Sequence, residues 1–100
     1  MANIHWTYEN DVALFQGELS IFTIDSDFEQ KTLQSLHNKN VVIDLSGISK
    51  IDSAGLAWLL CLVESANKTK SEISFHNIPQ DLIKLAKLSA VDLFLPTETQ

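Results

Sequence analysis

The stretch from Val41 to Leu56 constrains the fold more than any other part of the chain. It begins with an apolar, largely β-branched run, which is typical of a strand that is covered on both faces or lies inside a sheet. A Ser46-Gly47 break follows, and Asp52-Ser53 then places helix-starting residues ahead of a leucine-rich segment. This order predicts an α/β fold in which the N-terminus of a helix displays the Ser53 hydroxyl.

The rest of the chain supplies further strands and helices, and the turn-forming residues Glu9-Asn10-Asp11 predict a tight hairpin between the first two strands. Because the order is strand, strand, helix, strand, helix, strand, helix, we expect an α/β fold with a mixed sheet of four to five strands and about three helices packed mainly on one face. Sites in such sheets lie beyond the carboxyl ends of the parallel strands. The predicted strands are Ile4 to Tyr8, Val12 to Leu19, Val41 to Leu45, Ile73 to Phe75 and a last short one at Val91 to Leu95. The first predicted helix starts at Asp25-Ser26-Asp27 and ends near His37. The second runs from Ser53 to about Asn67, and the third from Pro79 to Leu88.

Composition limits both the size and the partners of the protein. One hundred residues, 45% of them apolar, fit a single domain over residues 1–95, with a loose tail at 96–100. The formal charge is −6 and the chain has no arginine, so we do not expect binding to nucleic acid or directly to anionic lipid. A lone Cys61, no signal-peptide pattern and no apolar run near the roughly 20 residues of a membrane span predict a cytoplasmic protein.

The helix after Ser53 is apolar on more than one side. Helical geometry predicts that the stripe of Leu56, Leu59, Leu60 and Val63 faces the sheet. It places Trp58 and Leu62 on the opposite side, where a free-standing domain would carry charge. We therefore interpret that side as a protein-binding surface. The alternative is that a flanking helix of the same domain covers Trp58.

The segment Asp44-Leu45-Ser46-Gly47-Ile48-Ser49-Lys50-Ile51-Asp52-Ser53-Ala54-Gly55-Leu56 resembles the signature of STAS domains, which are named for sulfate transporters and anti-sigma factor antagonists. Phe15-Gln16-Gly17-Glu18-Leu19 is similar to the family's strand end before its first helix. The run from Gly55 into Leu59-Leu60, and Leu85-Ala86-Lys87-Leu88, look most like the MlaB-type branch. The resemblance implies a STAS-like fold over nearly the whole chain.

This resemblance also implies a role without chemistry or cofactor. MlaB-type domains are STAS subunits of an ABC transporter that moves phospholipid and maintains outer-membrane lipid asymmetry. Such a subunit docks on the ATPase subunit, so it meets the inner membrane only through the complex. Taken with the helix pattern, this gives the predicted partner-binding residues Asp52, Ser53, Gly55, Leu56, Ala57, Trp58 and Leu62.

A second function remains open for Ser53. In anti-sigma factor antagonists the matching serine is phosphorylated, which breaks the complex with the partner kinase. A phosphate at this helix N-terminus would be favoured by the helix dipole but would bring nearly two negative charges into an interface beside Asp52. We favour contact without phosphorylation, since Ala54 stands where antagonists often carry a second hydroxyl residue.

Catalytic and metal-binding patterns are weak in this chain. His5, His37 and His76 are scattered singly without metal-ligand spacing. Ser53 lacks both a nucleophile-elbow motif and an evident base. We therefore predict that the protein is not an enzyme and holds no metal.

Overall fold

Four strands form one mixed sheet in the order β1-β2-β3-β4. The structure is a computed structural model that describes residues 2–96. The first two strands pair antiparallel, while the second and third and the third and fourth pair in parallel. This confirms the predicted fold class. The strands are β1 (Ile4–Glu9), β2 (Val12–Leu19), β3 (Val41–Ile51) and β4 (Ile73–His76), and the helices are α1 (Ser26–Leu36), α2 (Ser53–Lys68) and α3 (Gln80–Leu88).

A two-residue turn joins β1 to β2. Asn10 and Asp11 both have positive φ, at 53° and 64°, which matches the right-handed twist of the paired strands. Asn and Asp are the residues other than glycine that adopt this conformation most readily. The hairpin predicted from these residues is therefore confirmed.

The hydrophobic core lies on one face of the sheet. Phe15 of β2, Ile43 and Leu45 of β3 and Phe75 of β4 are almost completely buried. Side chains alternate between the two faces of a strand, and Val42 and Asp44 on the other face of β3 are only partly buried. The core-facing residues meet the helices, because α1 and α2 both cross from one parallel strand to the next in the same direction along the sheet.

Strand β3 is longer than the sequence predicts. The expected break at Ser46-Gly47 is instead an irregularity inside the strand, because the register with β2 shifts between Leu14 and Gln16 and again after Gly17. A β-bulge inserts an extra residue without ending the strand, and glycine inside a strand often marks one. The bulges let β3 continue to Ile51, so α2 begins directly beyond the carboxyl end of this strand.

The predicted last strand at Val91 to Leu95 is wrong. These residues contain a 3₁₀ turn at Asp92–Phe94, and Ala90 with φ of 58° reverses the chain after α3. A short apolar run does not distinguish strand from helix by its pattern alone. The Phe75 N–H donates to the Pro96 carbonyl at 2.8 Å, so the first residue of the predicted tail contacts β4; residues 97–100 of that tail lie outside the described residues.

The Asp44 carboxylate connects β3 to the segment after β4. Its Oδ1 accepts hydrogen bonds from the Ser46 N–H at 2.9 Å and from Asn77 Nδ2 at 3.1 Å. Partial burial raises the pKa of Asp44, but these hydrogen bonds and the nearby His76 outweigh it and hold the pKa below its ordinary value. The ionised carboxylate is therefore favoured in the folded state.

This pKa shift predicts an acid-sensitive contribution to stability. Because the pKa of folded Asp44 is the lower one, its contribution is complete above the unfolded value of about 3.9 and is lost as the pH falls through the folded value. We expect Asp44→Asn to flatten the loss of unfolding free energy below about pH 4, measured by urea titration at several pH values. An acid limb as steep as that of the unsubstituted protein would contradict this assignment.

Candidate partner-binding site

The candidate site lies at the edge of the domain where the parallel strands β2 and β3 end. Two segments meet there, the loop of residues 20–25 that follows β2 and the first two turns of α2, which follow β3 directly. Ligands of open α/β sheets generally bind beyond this end of the strands. It is also where the sequence places Ser53.

Asp52 holds these two segments together through one carboxylate. Its Oδ1 accepts from the Gly55 N–H at 3.0 Å and caps α2, and its Oδ2 accepts from the Ile21 N–H at 3.1 Å. The Asp52 N–H in turn donates to the Leu19 carbonyl at 3.3 Å. Asp52 therefore supplies the cap, and Ser53 beside it is exposed.

Gly55 and Leu56 are buried beneath the exposed start of α2. A Cβ on Gly55 would lie 2.3 Å from the Leu19 carbonyl oxygen and 2.9 Å from Cγ1 of Ile51, so only glycine lets α2 approach the end of β2 this closely. Leu56 is buried in the core. Both residues were predicted to bind the partner, and the structure places both inside the domain.

The predicted exposure of Trp58 and Leu62 is wrong. Only 4% of Trp58 and 1% of Leu62 is accessible to solvent. The Trp58 ring lies against Phe28 of α1 at 4.9 Å and Phe15 of β2 at 5.4 Å between centroids. Helix α1 covers the side of α2 that the sequence suggested was open, because both helices pack on the same face of the sheet. The alternative, cover by a flanking helix, is therefore correct.

The side of α2 that faces solvent carries small and polar side chains instead. Leu60 and Val63, which were predicted to face the sheet, are only partly buried, whereas Leu56 and Leu59 of the same predicted stripe are buried. The outward stripe of α2 is Ser53, Ala57, Cys61 and Glu64. Of the predicted partner-binding residues, Ser53 and Ala57 are thus exposed and Asp52 is partly exposed.

Two apolar side chains at this edge were missed from the sequence. Ile21 and Phe22 are 69% and 80% exposed, beside the Asp52 carboxylate that binds the Ile21 N–H. They fall between the end of a strand pattern and the cap of the next helix, so neither periodicity assigns them a buried face. An apolar pair in such a connecting segment is the signal that would have found them.

The site combines a polar part and an apolar part. It offers one hydroxyl, a helix N-terminus and an exposed apolar pair, but no side-chain base is hydrogen-bonded to Ser53 among residues 2–96. In the same range, no group of three or more His, Cys, Asp or Glu side chains is placed to hold a metal ion. No helix formed by these residues has the length and apolar character to cross a membrane.

The strand order, the two crossover helices and the Asp52-Ser53 start of α2 together define a STAS-type domain. A model of the family described as "Mlab, STAS domain" matches residues 12–96, and the chain therefore belongs to that family. Proteins from Escherichia coli K12 and Shigella flexneri named "Intermembrane phospholipid transport system binding protein MlaB" are each 28% identical over 86 residues, which is 86% of this chain and 87% of theirs.

Solved structures show the same fold. A protein from Thermotoga maritima described as an anti-sigma factor antagonist superposes with a TM-score of 0.66 at 15% identity, covering 97% of this chain and 86% of its own. The unphosphorylated anti-sigma factor antagonist SpoIIAA superposes with a TM-score of 0.60 at 12% identity, covering 97% and 89%. At these identities the likeness shows the fold alone.

Proposed function

We propose that this domain is a non-catalytic subunit that binds the ATPase subunit of an ABC phospholipid transporter on the cytoplasmic side of the inner membrane. In this role it supports assembly and activity of the transporter, and thereby outer-membrane lipid asymmetry. The observation that carries the proposal is the exposure of Ser53 and Ala57 at the strand-end edge, while Trp58 and Leu62, the apolar residues expected there from the sequence, are buried. The names of its relatives, binding proteins of a phospholipid transport system, support it.

Ser53 and Ala57 are suited to close contact with another polypeptide. They are four residues apart and therefore lie on the same side of α2, one turn from each other. Small side chains allow a partner to approach the helix closely, and a serine hydroxyl both donates and accepts hydrogen bonds. The Asp52 cap fixes the direction of this first turn.

Ser53→Asp tests the proposal. We expect it to weaken binding to the ATPase subunit by about tenfold or more, because it places an unpaired carboxylate where the interface loses its water. The same charge near the positive end of the helix dipole should leave the isolated domain as stable as before or slightly more stable. Co-purification of the co-expressed subunits, with a titration of the purified ones, measures the effect.

Ser53→Ala is the matched control, since it removes the hydroxyl without adding charge. We expect a smaller loss of binding, in keeping with the modest net contribution of one neutral hydrogen bond. Full complex formation by Ser53→Asp would reject this edge as the docking surface.

The second candidate function is that of an anti-sigma factor antagonist, which is switched by phosphorylation of Ser53. Only the fold of the solved neighbours favours it. The exposed Ser53 hydroxyl is accessible to a kinase. Intact-mass measurement on protein from its native cells distinguishes the two functions. A phosphate on Ser53 that controls the complex would favour the antagonist function.

A further inference from the structure

We infer that Ile21 and Phe22 are apolar anchors that insert into an uncharged pocket of the ATPase subunit, beside the contact made by Ser53. The inference rests on the proposed function and names the part of the interface that the Ser53 helix does not supply. It starts from the exposure of these two neighbouring side chains, 69% and 80%, on a loop at the candidate site. Buried aromatic and aliphatic anchors dominate the energy of many protein interfaces.

Hydrogen bonds within the domain hold the loop that carries the anchors. The N–H groups of Thr23 and Ile24 each donate to the Ser20 carbonyl at 3.0 Å. The Phe22 N–H donates to Ser20 Oγ at 3.2 Å, and that hydroxyl donates to Oε2 of Glu18 at 2.5 Å. A loop ordered before binding loses less conformational entropy on association, so its apolar side chains contribute more to affinity.

Two carboxylates beside the loop accept hydrogen bonds from within the domain. The Glu18 carboxylate accepts from the Ser20 hydroxyl, and the Asp52 carboxylate accepts from the Ile21 and Gly55 N–H groups. The segment from Leu19 to Ile24 carries no charged side chain. The part of a partner that covers Ile21 and Phe22 themselves is therefore apolar, while the Glu18 and Asp52 carboxylates beside the loop keep their negative charge.

The loop and the Ser53 helix act as one surface. Both oxygens of Asp52 are used, one on the loop and one on the first turn of α2, so the carboxylate sets the position of the anchors relative to Ser53. A polypeptide that contacts Ser53 and Ala57 meets Ile21 and Phe22 in the same approach. This continuity assigns the anchors to the same ATPase subunit and not to a second partner.

Phe22→Ala and Ile21→Ala test the inference, with Leu88→Ala as the matched control. Leu88 is 86% exposed at the end of α3, so its truncation removes a comparable exposed apolar side chain on another element. We expect Phe22→Ala to weaken binding to the purified ATPase subunit by about tenfold or more and Ile21→Ala by less, with Leu88→Ala unchanged. Thermal unfolding of each isolated variant should match the parent, since these side chains are outside the core.

The outcomes separate the two proposals. If Ser53→Asp weakens binding but Phe22→Ala binds like the parent, Ile21 and Phe22 are not anchors, whereas the edge around Ser53 is still the docking surface. If Phe22→Ala and Leu88→Ala weaken binding equally, general loss of apolar surface explains the effect and the inference is overturned. If neither Ser53→Asp nor Phe22→Ala changes the complex, the proposed function itself is wrong at this edge.

Discussion

Trp58→Ala is expected to lower the free energy of unfolding by about 4 kcal/mol, as buried tryptophan truncations commonly do. The side chain is 4% exposed and its ring packs between Phe15 and Phe28. Alanine leaves a cavity where β2, α1 and α2 meet, so the loss includes both the burial of the ring and its contacts. Urea unfolding of the isolated domain measures it.

Trp58→Phe is the control for this prediction. The Trp58 Nε1 atom is buried without a hydrogen-bond partner in the described part of the chain, so no hydrogen bond is lost with the indole. Phenylalanine keeps an aromatic ring in the cluster, and we expect a loss of about 1–2 kcal/mol. A Trp58→Ala variant that unfolds like the parent yet fails to bind the partner would restore the interpretation of Trp58 as a surface residue.

Gly55→Ala is expected to cost about 3 kcal/mol of unfolding free energy, at the upper end of typical overpacking effects. The new Cβ would lie 2.3 Å from the backbone oxygen of Leu19, so α2 or the end of β2 must move. The direction is the informative part of the result. In a helix without this contact, alanine in place of glycine would stabilise the protein by up to about 1 kcal/mol.

Ala57→Gly provides the opposite exchange at an exposed position of the same helix. There only helix propensity changes, and we expect a loss of about 1 kcal/mol. Displacement of α2 should also shift the Asp52 cap, so Gly55→Ala is expected to weaken partner binding as well as stability. A Gly55→Ala domain more stable than the parent would show that α2 does not approach β2 as closely as described.

The order of strands and helices was predictable because it depends on local patterns. The β-branched run at Val41, the caps at Asp25 and Asp52 and the Asn10-Asp11 turn each act within a few residues of themselves. The two errors in the elements arose where a local pattern is ambiguous. Gly47 marks a bulge and not a strand end, and the apolar residues near Leu93 form a turn and not a strand.

The candidate site was predictable only in part. Asp52 and Ser53 were recognised because a helix start has its own chemistry, and the structure leaves Ser53 exposed beside the capping Asp52. Phe22 was missed because its exposure depends on how the loop is held by Ser20 and Glu18. Periodicity does not describe such contacts.

The sequence by itself determined the α/β class, the position of α2 after β3 and the exposed hydroxyl at its start, since each follows from interactions between near neighbours in the chain. Only the tertiary structure decided which side of α2 meets solvent. A helix that is apolar on two sides can be covered by its own domain or by another protein, and the pattern is the same in both cases. Here the packing of Phe28 against Trp58 buries the second apolar side within the domain, which moves the candidate interface to Ser53, Ala57 and the loop of Ile21 and Phe22.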